Sequence, residues 1–162
     1  MTIIIVKGQK TNTSMSSQCP DWIRYKPGTK SKTVFVSVGD VSGTELLLTI
    51  LDRMNINSIV AKHEAHPDFK TRFKRIELFE ENNYFDAFIE CVIGILDVDS
   101  ILSKAMYYGL PCLVLTNDAH LSNCCVPIEM NEGIIETRVS WLMDDEYQRE
   151  CISRVALNEY LR

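Results

Sequence analysis

The stretch Thr33-Val-Phe-Val-Ser-Val-Gly39, continued by Asp40-Val-Ser-Gly-Thr44, decides the fold. Its first part is a continuous run of apolar and β-branched residues that ends in a glycine, which predicts a strand buried on both faces of a parallel sheet. Ser42 is followed three residues later by Glu45, as in a capping box, so we predict that Ser42 caps the next helix. That helix is predicted to carry one apolar stripe and to end at Asn55.

The alternation of strand and helix continues along the chain. Further apolar runs predict strands at residues 56–61, 75–79, 91–96, 112–116 and 125–128. Helices are predicted at 84–89, at 101–108, and in two closing segments that begin near Asn131 and Asp144. The residues of the last helix expected to face the core are Tyr147, Cys151, Val155 and Leu161. The whole pattern predicts an α/β fold, with a Rossmann-like parallel sheet of about six strands and helices on both faces.

Residues 1–32 have a different character from the rest. They are rich in Ser, Thr, Pro and Gly and show little periodicity, which is typical of an extended arm or linker. The domain is therefore expected to comprise residues 33–162. Trp22 and Tyr25 indicate that the arm packs against a surface of the domain or of a partner.

Composition excludes several function classes. The net charge is −5 and the isoelectric point is about 5.2, so the chain lacks the basic field that nucleic acid or an anionic membrane would require. No apolar stretch approaches the ~20 residues of a membrane-spanning helix. The first residues, Met1-Thr-Ile-Ile-Ile-Val-Lys7, are too short for a signal-peptide core and have no basic residues before them, so we predict a cytoplasmic protein.

The cysteines and histidines do not predict a metal centre. The chain has six cysteines and no CxxC pair, and Cys91 and Cys112 lie inside apolar runs, where cysteine acts as a small hydrophobic residue. Adjacent cysteines, Cys124 and Cys125, are poorly placed for tetrahedral coordination. We therefore predict reduced, structural thiols and no bound metal held by these residues.

Ligands of parallel α/β sheets bind beyond the carboxyl ends of the strands, where the strand order reverses. The first loop selected by this rule contains Gly39, Ser42, Gly43 and Thr44. Glycines allow a ligand to approach the backbone, and the amides at a helix N-terminus favour an anion such as a diphosphate. The alternative interpretation is an ordinary tight turn with a helix cap.

Two more loops are selected in the same way. Asp97, Asp99 and Ser100 follow a predicted strand and could coordinate a cation, hold a ribose hydroxyl or cap the next helix. The loop after the following strand contains Asp118, His120 and Asn123, whose side chains can hold sugar hydroxyls or take part in acid–base chemistry. A solvated polar loop is the alternative for this third segment.

Several of these motifs resemble the C-terminal, nucleotide-sugar-binding domain of UDP-glycosyltransferases with the two-domain B-type fold. The run 33–39 is similar to the opening strand of that domain, and 104–115 (KAMYYGLPCLVL) resembles the segment in which a helix ends at Gly-x-Pro and leads into an apolar strand. Asp118-x-His120-x-x-Asn123 is similar to the loop in which an acid, a glutamine and an asparagine meet the donor sugar. The segment 135–149 resembles the two closing helices.

The resemblance implies roles for these residues. His120 would contact the leaving phosphate or the sugar, and Asp118 and Asn123 would hold sugar hydroxyls. The sequence departs from the family after the fourth strand, where 96–100 (LDVDS) replaces a histidine and a glycine-rich turn that receive the diphosphate. Lys104 replaces a glutamate of related families and could supply compensating charge.

The resemblance also implies a partner. The family's N-terminal half, which binds the acceptor and supplies the catalytic base, has no counterpart here, so a protein partner or a second copy is expected to supply it. The soluble subunit of the two-chain enzyme that adds the second N-acetylglucosamine to dolichol diphosphate is a precedent. Mg²⁺ or Mn²⁺ could accompany the nucleoside diphosphate sugar. The alternatives are a catalytically inactive binding or assembly module of the same fold and a nucleoside- or NAD-processing enzyme.

Overall fold

A computed structural model of the chain describes residues 32–61, 65–79, 84–97, 100–116 and 125–161. The strands are β1 (Thr33–Ser37), β2 (Asn57–Ala61), β3 (Ile76–Phe79), β4 (Ile93–Leu96), β5 (Cys112–Leu115) and β6 (Val126–Ile128). The helices are α1 (Val41–Arg53), α2 (Phe69–Arg72), α3 (Tyr84–Phe88), α4 (Ser100–Tyr108), α5 (Glu132–Asp144) and α6 (Glu146–Leu161). Each predicted strand is present, and α2 is a short helix that was not predicted.

The strands form one six-stranded sheet in the order β3-β2-β1-β4-β5-β6. All neighbouring strands are parallel, which confirms the predicted α/β, Rossmann-like class. The order reverses between β1 and β4, where Ser37 is paired with Leu96. The residues that follow these two strands therefore meet at the same point of the carboxyl edge, which is where such sheets bind ligands.

The core lies on both faces of the sheet. On one face, Phe35 of β1 meets an aromatic cluster, and its ring stands edge-to-face to that of Phe88 with centroids 5.0 Å apart. On the other face, Val34 and Val36 pack with apolar residues of α1 and α5, such as Leu47 and Leu142. Because alternate residues of β1 are buried on opposite faces, the continuous apolar run predicted this strand correctly.

The helix ends explain two of the turns. Asn55 has a φ of 62° after α1, and Gly109 has a φ of 89° after α4. In both turns the N–H of the following residue donates to a carbonyl five residues earlier in the chain. Ile56 donates to Leu51 and Leu110 donates to Ala105, as in the Schellman motif. The predicted ends at Asn55 and Gly109 are therefore confirmed.

The prediction for the inward face of α6 is wrong at Tyr147 and Val155, and the side chain of Leu161 lies outside the described part of the structure. Tyr147 is 70% exposed and Val155 is 38% exposed. The buried face of this helix instead comprises Arg149, Ile152, Ser153 and Ala156. The face is set by Arg149, whose Nη1 donates to the carbonyls of Leu142 and Met143 at the end of α5, at 3.0 and 2.6 Å. Predictions from hydrophobic periodicity place arginine in solvent. The stripe that contains Tyr147 and Val155 was therefore chosen instead of the one that contains Arg149.

Of the predicted extended arm, residues 1–32, all but Lys32 lie outside the described part of the chain. None of the helices in the described segments is long and apolar enough to cross a membrane.

Candidate functional site

The carboxyl edge between β1 and β4 brings two of the predicted loops together. The backbone N–H of Gly39, after β1, donates to Oδ2 of Asp97, after β4, at 2.5 Å. Gly39 is exposed and Asp97 is half-buried, so this contact lies at the surface of the crevice. The structure thus joins the Gly39 turn and Asp97 at the point where the strand order reverses.

Asp40, not Ser42, caps α1, which corrects the prediction of a capping box. Asp40 has extended backbone angles, and its Oδ1 accepts hydrogen bonds from the Gly43 N–H at 2.5 Å and from the Ser42 hydroxyl at 2.9 Å. Ser42, Gly43 and Thr44 therefore lie inside the first turn of the helix. The buried Thr44 hydroxyl donates to the Asp40 carbonyl at 3.0 Å, so its side chain serves the turn.

Two carboxylates consequently accept hydrogen bonds from the backbone N–H groups that a phosphate would use. Asp97 accepts from the Gly39 N–H and Asp40 accepts from the Gly43 N–H. The hydrogen bonds from Gly43 and then Ser42 lower the pKa of Asp40 below its ordinary value, so this carboxylate is charged at neutral pH. An anion approaching this turn would meet a site already filled by protein carboxylates.

The glycines of the turn leave room for these contacts. A Cβ on Gly39 would lie 3.2 Å from Oδ2 of Asp97, and a Cβ on Gly43 would lie 3.2 Å from both Asp40 carboxylate oxygens. The same Cβ on Gly43 would also lie 3.2 Å from Cε of Met130, which is 44% exposed beside the turn. The glycines thus bring the backbone close to the carboxylates and, at Gly43, to Met130.

Sequence reasoning missed Asp40 and Met130. A signal for Asp40 was present, since Asp is at least as good an N-cap as Ser and it directly follows the glycine that ends the strand. For Met130 there was none, because its position depends on how the segment between β6 and α5 passes the turn.

The remaining predicted residues are placed only in part. Lys104 is half-buried in α4, with its Nζ 5.9 Å from the centroid of the Tyr84 ring. Ser100 is the first residue of α4. Asp99, Asp118, His120 and Asn123 lie outside the described residues. In the described segments, no three His, Cys, Asp or Glu side chains converge to hold a metal ion.

Two recesses of the domain lie away from this edge. A groove of about 770 Å³ runs between α1 and α5 and is lined by Arg53, Met54, Glu136 and Trp141. Arg53 is already paired there with Glu132 and Glu136, at 2.9 and 2.8 Å. A smaller recess, of about 260 Å³, is at the opposite, amino edge of β1, β2 and β3. We place the candidate site at the carboxyl edge because the topology and the glycine turn converge there.

Comparison with solved structures gives the class of this fold. MnaA of S. aureus, solved with UDP, has a TM-score of 0.64 at 18% identity, over 90% of this chain and 47% of that one. The UDP-GlcNAc 2-epimerase of Neisseria meningitidis, solved with UDP-GlcNAc, has a TM-score of 0.60 at 14% identity, over 78% and 40% of the two chains. The glycosyltransferase SnogD of Streptomyces nogalater has a TM-score of 0.57 at 16% identity, over 88% and 41%.

The chain is therefore similar in fold to one domain of these GT-B-like proteins, and it spans less than half the length of each of them. No protein-family model matches the sequence, and no curated protein matches it significantly.

Proposed function

We propose that this chain is a nucleotide-sugar-binding domain that acts together with a partner supplying the acceptor half. The observation that carries the proposal is the glycine turn at the reversal of strand order, where Gly39 and Asp97 meet. Similar folds that were solved with UDP or UDP-GlcNAc support the same ligand class. The acceptor half would come from a second copy or from a different protein.

The diphosphate would lie across the turn formed by Gly39, Ser42, Gly43 and Thr44. Asp40 and Asp97 oppose it by charge, so the ligand requires a counter-charge. A bound Mg²⁺ or Mn²⁺ is suited to this task, because these ions are commonly held by one or two carboxylates together with phosphate oxygens. Lys104 could contribute positive charge from α4.

The sugar would be held by the loop that follows β5. In this proposal His120 contacts the leaving phosphate or the sugar, Asp118 and Asn123 bind sugar hydroxyls, and Asp99 and Ser100 complete the edge near the ribose. If the chain is active, the reaction is hexosyl transfer, and donors aimed at the departing nucleoside diphosphate would stabilise its charge. The base that activates the acceptor would come from the partner.

A second candidate is a catalytically inactive module of the same fold. The observation that favours it is the occupation of the turn amides by Asp40 and Asp97, because a working diphosphate site normally leaves such donors free for the ligand. A nucleoside- or NAD-processing enzyme stays a third candidate, supported by the presence of Asp97 at the switch point.

Titration calorimetry of the full chain with a panel of ligands tests the proposal. We expect UDP and UDP-GlcNAc to bind weakly without divalent cations and at least several-fold more tightly with Mg²⁺ or Mn²⁺. Free nucleosides and NAD serve as controls and are expected not to bind. Binding of NAD or nucleosides alone would favour the third candidate. Absence of any nucleoside diphosphate binding, with or without metal, would overturn the proposal and favour the inactive module.

A further inference from the structure

The outer face of α6 carries an apolar stripe with no covering element among the described residues. The stripe consists of Tyr147, Cys151 and Val155, which are four residues apart and therefore lie on one side of the helix. Tyr147 is 70% exposed and Val155 is 38% exposed, and Cys151 is partly exposed between them. We call this face the α6 stripe. The exposed ring of Tyr147 offers a large apolar surface to another segment.

The chain enters the domain beside this face. Lys32, the first described residue, has its Nζ 3.6 Å from Oδ1 of Asp144. Asp144 is the last residue of α5, and α6 begins at Glu146. The first described residue is therefore within a side chain's reach of the junction of α5 and α6.

The length of the preceding segment is sufficient to reach along the stripe. Trp22 is ten residues before Lys32, and ten extended residues span up to about 33 Å. The helix rises by about 12 Å from Tyr147 to Val155. The aromatic stretch Trp22-Ile-Arg-Tyr25 can therefore lie against the stripe with residues to spare.

The segment before Lys32 and the rest of the chain carry opposite net charges, which favours contact between them. Residues 1–31 contain five Lys or Arg and one Asp, a charge of +4, so the rest of the chain carries −9 of the total of −5. Acidic residues precede or interrupt the stripe in the sequence, at Asp144, Asp145, Glu146 and Glu150. Arg154 is paired with Glu150 at 2.9 Å, and Arg149 is buried.

We propose that residues 1–31 fold back on the domain and that Trp22 and Tyr25 cover the α6 stripe. The occupant is this chain's own segment rather than a second copy or another protein, because its exit point, its length and its positive charge all match this face. This inference does not depend on the proposed nucleotide site.

Tryptophan fluorescence tests the contact in the full chain. The sequence contains two tryptophans, so Trp141→Phe leaves Trp22 as the single reporter. We expect its acrylamide quenching constant to be at least threefold below that of a peptide spanning residues 16–31. Adding Tyr147→Ser and Val155→Ser, both at exposed positions, should raise the quenching constant to the peptide value. The matched control is Ile134→Ser, an exposed apolar residue of α5, which should change nothing.

A quenching constant equal to that of the peptide in the Trp141→Phe protein would overturn the inference. A low quenching constant that the added Tyr147→Ser and Val155→Ser substitutions do not change would also overturn it. Quenching that depends on protein concentration would assign the stripe to a second copy and also overturn it.

Cross-linking gives an independent readout that needs no change in Trp141. Cys19 precedes Trp22 by three residues, Cys151 lies in the stripe, and Cys91, Cys112 and Cys125 are buried. In a Cys124→Ser variant, a short bis-maleimide is expected to join Cys19 to Cys151 within one chain, as detected by peptide mass spectrometry. Cys151→Ser should abolish this product. Links only between chains, or no link to Cys151, would contradict the proposed contact.

Discussion

Replacing both Asp40 and Asp97 by asparagine is expected to tighten UDP binding at least tenfold in the absence of divalent cations. Both carboxylates accept from amides of the glycine turn, where the diphosphate is proposed to lie. Two charges ~6 Å apart interact by roughly 3 kcal/mol at an effective dielectric constant of ~20, before salt screening. Half of that repulsion corresponds to about tenfold in affinity. Asparagine is a good N-cap, so α1 should keep its cap.

Calorimetry with and without Mg²⁺ measures this effect. The double variant should also lose most of the metal dependence, because the carboxylates that would bind the cation are gone. Asp52→Asn is the matched control, since it removes one acidic charge at the far end of α1, about 18 Å from Asp40 and beyond the Debye length of ~10 Å. Unchanged or weaker binding of UDP by the double variant would contradict the idea that these carboxylates oppose the diphosphate.

Arg149→Ala is expected to lower the free energy of unfolding by about 3 kcal/mol. Arg149 is 7% exposed and donates two hydrogen bonds to the last carbonyls of α5. Hydrogen bonds from charged donors contribute about 1.5–3 kcal/mol each, and removal leaves buried carbonyls without partners. For a chain of this size the change should lower the melting temperature by about 6–12 °C.

Arg154→Ala provides the control for this loss. It lies on the same helix, but its guanidinium is exposed and paired with Glu150 at the surface. Such pairs contribute about 0.5 kcal/mol or less, so this variant should unfold close to wild type. Equal losses for the two variants in chemical denaturation would show that Arg149 does not join α5 to α6 as described.

The elements whose burial is uniform were predictable from the sequence. β1 is buried on both faces of the sheet, so predicting it did not require deciding which of its side chains face solvent. Helix ends with a special backbone conformation, at Asn55 and Gly109, were also predictable, because few residues adopt a positive φ. The orientation of α6 was not, since it depends on a buried arginine that bonds the preceding helix, which is a tertiary interaction.

The candidate site was predictable to the level of the sheet edge. The rule for parallel sheets correctly joined the Gly39 turn to Asp97, because both follow strands that are neighbours at the switch point. The hydrogen bonds inside the turn were not predictable, since Ser42 and Asp40 are both competent caps and only the start of the helix decides between them. The resulting occupation of the amides by carboxylates is the feature that changes the expected chemistry most.

The most direct test of the nucleotide site is amide chemical-shift mapping of the ¹⁵N-labelled full chain titrated with UDP and Mg²⁺. We expect the largest shifts at Gly39, Asp40, Gly43 and Asp97, with saturation in the same concentration range as the calorimetric titration. Shifts centred on the groove near Arg53 and Trp141, or on the amino edge of the sheet, would contradict a site at the carboxyl edge, and so would a spectrum that UDP does not change.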